Sequence, residues 1–459
     1  MGARCRLSGR PANGFSKSTF EPGRFRPKMR RLPSMDRREF LRLTALGTVG
    51  ASLLPACAHG AAATSAPPAL TQLGIDVLTA ANFETLRGVR CGLVTHRAGM
   101  NGAGKRTVDV LAAAPGVRLT KLFGPEHGID GNAAAEIAIK NAKDARTGLP
   151  VYSLYGATRR PTPEMLEGLD AIVIDFQDVG SRSYTYISCM RYVIEACFSL
   201  PRPIRVIVLD RPNPLGGEKV DGPFLDRKWR SYVGAYEMPY VHGLTIGEIA
   251  RWAVATPGVL ELTEEQRRRG FLEVVPMRGW NRALTWNRTG LNWVPTSPRI
   301  PTAQAALGYA MVGLGCQLGD FSHTFGDEMH FRFIKYSRRK SADLVAALGN
   351  AVPGLVLEPR VMPDGTQGVY TAINDWAKFR PTLLSLLMMR QACLWDPTNP
   401  FARATKNERE LFIKHTGSEA FYEELRVRGS AVDLNRWLAQ WNADAEAFRA
   451  RTAPYRLYA

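Results

Sequence analysis

Between residues 89 and 210 the chain repeats one pattern, and that pattern narrows its fold more than any other feature. Short apolar runs alternate with amphipathic stretches, and no two runs are close enough to close a tight hairpin. The runs fall at 89–95, 117–123, 150–154, 171–176 (AIVIDF) and 204–210 (IRVIVLD). Helical periodicity marks 107–114, 133–143, 162–168, 184–198 and 245–255 between and after them. Strands that are apolar on both faces must be covered on both sides. Helices inserted between them supply that cover and the long crossovers that parallel pairing needs. The expected class is therefore α/β, with a parallel sheet wrapped by helices.

Past residue 257 the pattern loosens. A strand at 272–276, a Trp- and Asn-rich stretch at 280–293, a helix at 302–313 and a Gly/His/Asp loop at 319–330 come first. Further elements at 344–348, 368–373, 381–394 and 432–448 follow. This reads as a smaller, mixed α/β domain. The expected organisation is a leader and spacer over 1–70, a sheet domain over 71–256 and a second domain over 257–459.

The net charge of +18 suggests a polyanion partner until its position is considered. Half of it lies in the first 59 residues, which hold twelve Lys and Arg against three Asp and Glu. The rest is spread thinly, with isolated triplets at 267–269 and 338–340 and no basic stripe interleaved with aromatics. Neutralising a nucleic-acid backbone requires a dense basic footprint, so no nucleic-acid partner is expected. In the leader, Arg37-Arg38 precedes the Ala-, Gly- and Leu-rich segment 43–54, which has the form of a twin-arginine export address. Leu54-Pro55-Ala56-Cys57 resembles a lipobox with an atypical proline, which makes Cys57 a candidate lipid anchor. The expected location is outside the cytoplasm, periplasmic or extracellular, and membrane-anchored if Cys57 is lipidated. Of the seven cysteines, Cys91, Cys189, Cys197, Cys316 and Cys393 lie beyond the leader without a CxxC pair. Neither a disulfide nor a cysteine metal site is expected.

The polar clusters are informative by position. His96 follows the first apolar run, Glu126 and His127 the second, and Tyr155 the third. Asp175, Asp178 and Arg182 follow the fourth, and Asp210, Arg211 and Asn213 the fifth. In an open α/β sheet, ligands bind beyond the carboxyl ends of the strands, and all five clusters converge there. Glu126 stands out, since the glycines and proline of GPEHG (124–128) let the backbone turn sharply beneath it. A carboxyl desolvated at that edge is suited to giving a proton to a leaving oxygen. Asp175 and Asp178 either line the site or cap the helix that follows. Arg182 and Arg211 either fork a substrate carboxylate or pair with these aspartates. Tyr184 and Tyr186 either contact a sugar or pack in the core. There is no GxGxxG opening a helix, no HExxH and no GxSxG, so no cofactor, metal or serine nucleophile is expected.

Taken in order, GLVTHRAG (92–99), LFGPEHGIDG (122–131), TGLPVYSLYGATRRPTPEML (147–166), DFQDVGSRSYTYI (175–187), LDRPNPLGGEKVDGP (209–223) and HGLTIGE (242–248) resemble the exo-β-N-acetylmuramidase family of glycoside hydrolases. The resemblance runs from about residue 73 to the C-terminus and is densest before 250. It implies a Rossmann-like domain, a smaller second domain and a cleft between them. The implied activity is release of N-acetylmuramic acid from the non-reducing end of peptidoglycan fragments, with a muropeptide or disaccharide as partner. The family's motif glutamate falls on Glu126, the implied general acid. Asp178 is the second catalytic candidate; His96, His127, Asp175, Arg182, Tyr186, Asp210, Arg211 and Asn213 are implied cleft residues. The substrate's acetamido group or an aspartate then serves as nucleophile. This chain departs from the family pattern at His96, at Arg299 and over GDFSHTFGDE (319–328). Those departures leave a non-catalytic sugar-binding lipoprotein as the alternative reading.

Overall fold

AIVID contains no glycine, proline or polar residue before its final aspartate, so it suits a strand covered on both faces. In the structure, a computed structural model, it is such a strand, with all five residues buried. Residues 71–134, 137–314, 318–324, 326 and 329–459 are described. The twin-arginine pair, Cys57 and the spacer lie outside these residues, as do Cys316 and part of the 319–328 loop.

The main sheet holds β1 (Arg90–Thr95), β2 (Arg118–Gly124), β3 (Ala142–Lys143), β4 (Pro150–Ser153), β5 (Ala171–Asp175) and β6 (Arg205–Leu209). After a separate two-stranded pair, β7 (Asp221–Phe224) and β8 (Pro239–Val241), it is completed by β9 (Leu272–Val275). Its order is β3-β4-β2-β1-β5-β6-β9. Every pair is parallel except the short edge pair β3–β4. The chain steps outward from β1 to β2 and β4, then crosses to the other flank for β5, β6 and β9. That is the Rossmann order, with its reversal between β1 and β5.

Alternation along each strand serves two cores. Leu93, Val173 and Ile207 pack on one face, and Val94, Ile174 and Val208 on the other. Each such side chain removed from water stabilises the sheet by roughly 1.5–3 kcal/mol. The second core continues into the C-terminal half, where it includes Phe401, Phe412, Trp437 and Phe448. That half carries an antiparallel sheet, β10 (Phe321–Ser322), β11 (Phe333–Tyr336), β12 (Leu355–Val361) and β13 (Gln367–Ile373), in the order β10-β11-β13-β12. Helices Leu383–Trp395, Lys406–Thr416, Glu419–Arg428 and Leu434–Thr452 complete it.

Two expectations are corrected. No helix spans the described residues of 133–143. The Ile139 amide donates to the Tyr155 carbonyl at 2.8 Å, the Ser153 amide donates to Asn141 Oδ1 at 2.9 Å, and β3 then pairs with β4. Bonding to the sheet edge overrides the local helical preference of this alanine-rich segment. The strand expected at 272–276 also does not open the second domain. As β9 it pairs with β6 in the first sheet, beyond the boundary drawn at 256. The preceding helix Glu264–Arg269 buries no residue, so its sequence carries no amphipathic signal of continuing the first domain.

Candidate active site

The turn after β2 is built for close approach. A Cβ on Gly124 would lie 2.9 Å from the Ile129 amide nitrogen, so only glycine fits there. His127 adopts a left-handed φ of 68°, held by a 2.8 Å bond from its Nδ1 to the Ala133 carbonyl. A neutral histidine must place its proton on that nitrogen, because the carbonyl can only accept. This strained turn leaves Glu126 at the carboxyl end of the sheet, 7% exposed. Thr185 Oγ1 donates to Glu126 Oε2 at 2.7 Å. The Tyr155 hydroxyl, its pKa pushed up by burial and by the Glu126 charge, also hydrogen-bonds this carboxylate.

Glu126, His127, Tyr155, Arg159, Tyr184 and Thr185 from the sheet domain face Arg299, Tyr309, Phe331, Lys414 and His415 across a cavity of about 570 Å³. Glu126 is its one carboxylate among the described lining residues. Ser183 Oγ donates to the Tyr240 hydroxyl at 3.0 Å and bonds Tyr309 at 2.8 Å, tying the wall across both halves. The Arg159 guanidinium lies 4.8 Å from the ring centroids of both Tyr155 and Tyr232. A larger cavity, about 780 Å³, sits among Arg87, Arg90, Leu169 and Arg205 at the amino ends of the strands. That is the wrong end of an open α/β sheet for a ligand site, and its Asp170 is already paired with Arg90 at 3.0 Å.

Of the ten residues singled out from sequence, Glu126 and His127 line the 570 Å³ cavity and the other eight do not; Arg211 and His96 line two smaller ones. Asp175 and Arg211 form a buried two-pronged ion pair, with Nε to Oδ1 at 2.5 Å and Nη2 to Oδ2 at 2.8 Å. Thr107 Oγ1 adds a third bond, at 2.5 Å to Asp175 Oδ2. Arg182 is wholly buried, donating to the carbonyls of Met238 and His415 at 3.3 and 2.7 Å. Burial pushes its pKa down to about 10. It thereby caps the carboxyl end of the helix Lys406–Thr416 and joins the two halves. Asp210 accepts from Thr245 Oγ1, Tyr458 Oη and the amides of Gly247 and Arg211. These bonds anchor the start of the helix Ile246–Ala255 and the C-terminus, while burial raises the Asp210 pKa to about 6. Asn213 bonds the Leu244 carbonyl and the Leu215 amide, both at 3.0 Å, inside a turn. Tyr186 donates to the Thr296 carbonyl at 2.5 Å and packs on His96, Phe176 and Tyr184. His96 Nε2 accepts the Gln177 amide at 3.0 Å, and burial holds its pKa well below the ordinary value. Asp178 accepts the Gly180 amide at 2.8 Å and lies 3.6 Å from His242 Nε2.

These eight lie at strand ends or in the segments that follow, as far as the first residue of the helix Tyr186–Ser199, and most of their polar bonds fasten neighbouring segments. The sequence reading did not assign a role to Tyr155, Arg159, Thr185, Tyr309 or Lys414. The signal for the first two was the LYGATRR stretch after β4; the last two come from distant segments that no local pattern links to the sheet.

A Rossmann-order sheet with a buried carboxylate at the carboxyl end of β2, beneath a cavity completed by a second domain, is the arrangement of a two-domain α/β enzyme. The N-terminal model of the exo-β-N-acetylmuramidase NamZ family matches residues 91–304, and its C-terminal model matches 307–458. The chain therefore belongs to the exo-β-N-acetylmuramidase NamZ family. It is 38% identical over 328 residues to the peptidoglycan β-N-acetylmuramidase NamZ of Bacillus subtilis, covering 70% of this chain and 76% of that relative. It is similar to the crystal structure of a DUF1343 family protein from Bacteroides fragilis, with a TM-score of 0.75 and 35% identity over 85% of this chain and 99% of that one. A second DUF1343 structure from the same organism shares the fold, with a TM-score of 0.63 and 24% identity over 84% of this chain and 99% of that one.

Proposed function

We propose that this protein is an exo-acting glycoside hydrolase that releases N-acetylmuramic acid from the non-reducing end of peptidoglycan fragments, with Glu126 as general acid. The observation that carries the assignment is Glu126 itself, the one described carboxylate on the cavity, fixed by Thr185 and Tyr155. Glu126 gives its proton to the glycosidic oxygen as the bond to C1 breaks. Asp175 is committed to Arg211 and Asp178 is not among the described lining residues, so neither is placed to attack C1. The substrate's own 2-acetamido oxygen then closes on C1. Water opens the resulting cyclic intermediate, and the Glu126 carboxylate takes the proton back.

The test is incubation of the purified protein with N-acetylmuramyl-β-1,4-N-acetylglucosamine, with products followed by mass spectrometry. Equimolar free N-acetylmuramic acid and N-acetylglucosamine are expected. A disaccharide that binds and stays intact would favour a sugar-binding protein instead.

The leader supports export of the folded protein through a twin-arginine route, with Cys57 as the candidate lipid anchor. Replacing Arg37 and Arg38 by lysine is expected to leave the protein in the cytoplasmic fraction; unchanged export would rule this route out.

A further inference from the structure

Resting on that reading of the cavity, we propose that Arg159 receives the lactyl carboxylate of the substrate and so sets selectivity for a muramyl over a glucosaminyl unit. The two sugars differ only in the lactyl ether on C3, whose carboxylate is the one ionised group on the ring. The cavity is suited to an anion, with Arg159, Arg299 and Lys414 on its walls against the single carboxylate of Glu126 among the described lining residues.

The arginines expected from sequence to do this work are already engaged. Arg211 is forked onto Asp175, and Arg182 is spent on two backbone carbonyls. Lys414 has Glu410 at 3.5 Å. Arg160, next in the chain, turns away to the buried carboxylate of Glu195. Arg159 makes no ion pair with any described carboxylate, and its side chain is exposed at the cavity. Its guanidinium is nonetheless fixed, 4.8 Å from the centroids of two rings, Tyr155 and Tyr232, that are each only 8% exposed. The guanidinium also gives a hydrogen bond to the Tyr155 hydroxyl, and with five N–H donors it keeps others for a planar carboxylate. The side-chain ordering that binding would otherwise require is already complete.

Position supports the same assignment. The C3 substituent and the glycosidic oxygen belong to one ring, two ring bonds apart, so their receptors must be neighbours. Tyr155 makes them so, since its hydroxyl hydrogen-bonds both Arg159 and Glu126 and its ring lies against the guanidinium.

The experiment compares a chromogenic β-N-acetylmuramide with its lactyl methyl ester, using the wild type, Arg159→Met and Arg299→Gln. For the wild type, kcat/KM is expected to favour the acid by about tenfold to a hundredfold, as for a hydrogen bond to a charged group. Arg159→Met should lower the acid far more than the ester, so that the preference between them is lost, and should act mainly through KM. Arg299→Gln should keep the preference. An equal loss on acid and ester in Arg159→Met overturns the proposal, because Arg159 then only props Tyr155 and Glu126. So does a preference lost in Arg299→Gln but kept in Arg159→Met. If the wild type cleaves neither glycoside, the muramidase reading has failed, and calorimetry with N-acetylmuramic acid and its methyl ester decides Arg159 alone. Tighter binding of the acid that Arg159→Met abolishes supports the proposal; equal affinities for wild type and variant overturn it.

Discussion

Glu126→Gln is expected to lower kcat on a muramyl glycoside by about 10²–10⁴-fold, the usual contribution of a positioned general acid. The change removes the transferable proton, the carboxylate charge and one of two acceptor oxygens while keeping the size of the side chain. Glutamine keeps the shape of the side chain and an oxygen able to accept from Thr185 Oγ1, which now donates to the carboxylate at 2.7 Å. Substrate affinity and thermal stability should therefore stay close to those of the wild type. A chromogenic muramide with a good leaving group needs less protonation, so its loss should be smaller than that of the natural disaccharide. Near wild-type turnover of the disaccharide would remove Glu126 from the chemistry and return attention to Asp178.

The second large effect concerns stability. Arg211→Ala is expected to destabilise the protein by about 3–5 kcal/mol, because it leaves the Asp175 carboxylate buried and uncompensated. Asp175 has no exposed surface, and its other side-chain partner is the Thr107 hydroxyl. Replacing both charges, Asp175→Leu with Arg211→Met, should cost clearly less than the two single changes added together. Denaturant midpoints of the four proteins measure this coupling directly. Independent, additive losses would contradict a buried pair. A stable Arg211→Ala protein with a KM raised by about a hundredfold would instead restore Arg211 to the substrate site.

These two predictions separate residues that sequence alone could not tell apart. Glu126 and Arg211 both sit in motifs directly after apolar strands, and both are polar residues in glycine- or proline-rich turns. What distinguishes them is which neighbour each side chain meets. Arg211 meets Asp175 across the gap between β6 and β5, whereas Glu126 faces a cavity. The same holds for Asp210, whose oxygens bind the start of a helix and Tyr458 near the C-terminus. A strand-end position is therefore shared by site residues and by the buried polar network that holds the strand-end loops in register. Buried carboxylates and guanidinium groups must be paired or hydrogen-bonded, so most polar residues at such an edge belong to that network.

The sequence by itself determined the spacing of the apolar runs, hence the parallel sheet, its two apolar faces and the edge at which the polar clusters gather. These are local properties, because a continuous apolar run and the turn in GPEHG are each decided within a few residues. Tertiary structure decided the rest. It assigned β9 to the first sheet, turned 137–143 into edge contacts of β4, and brought Arg299, Tyr309 and Lys414 over Glu126. Each of those outcomes depends on pairing between segments far apart in the chain, and such pairing leaves no periodic trace in either segment alone.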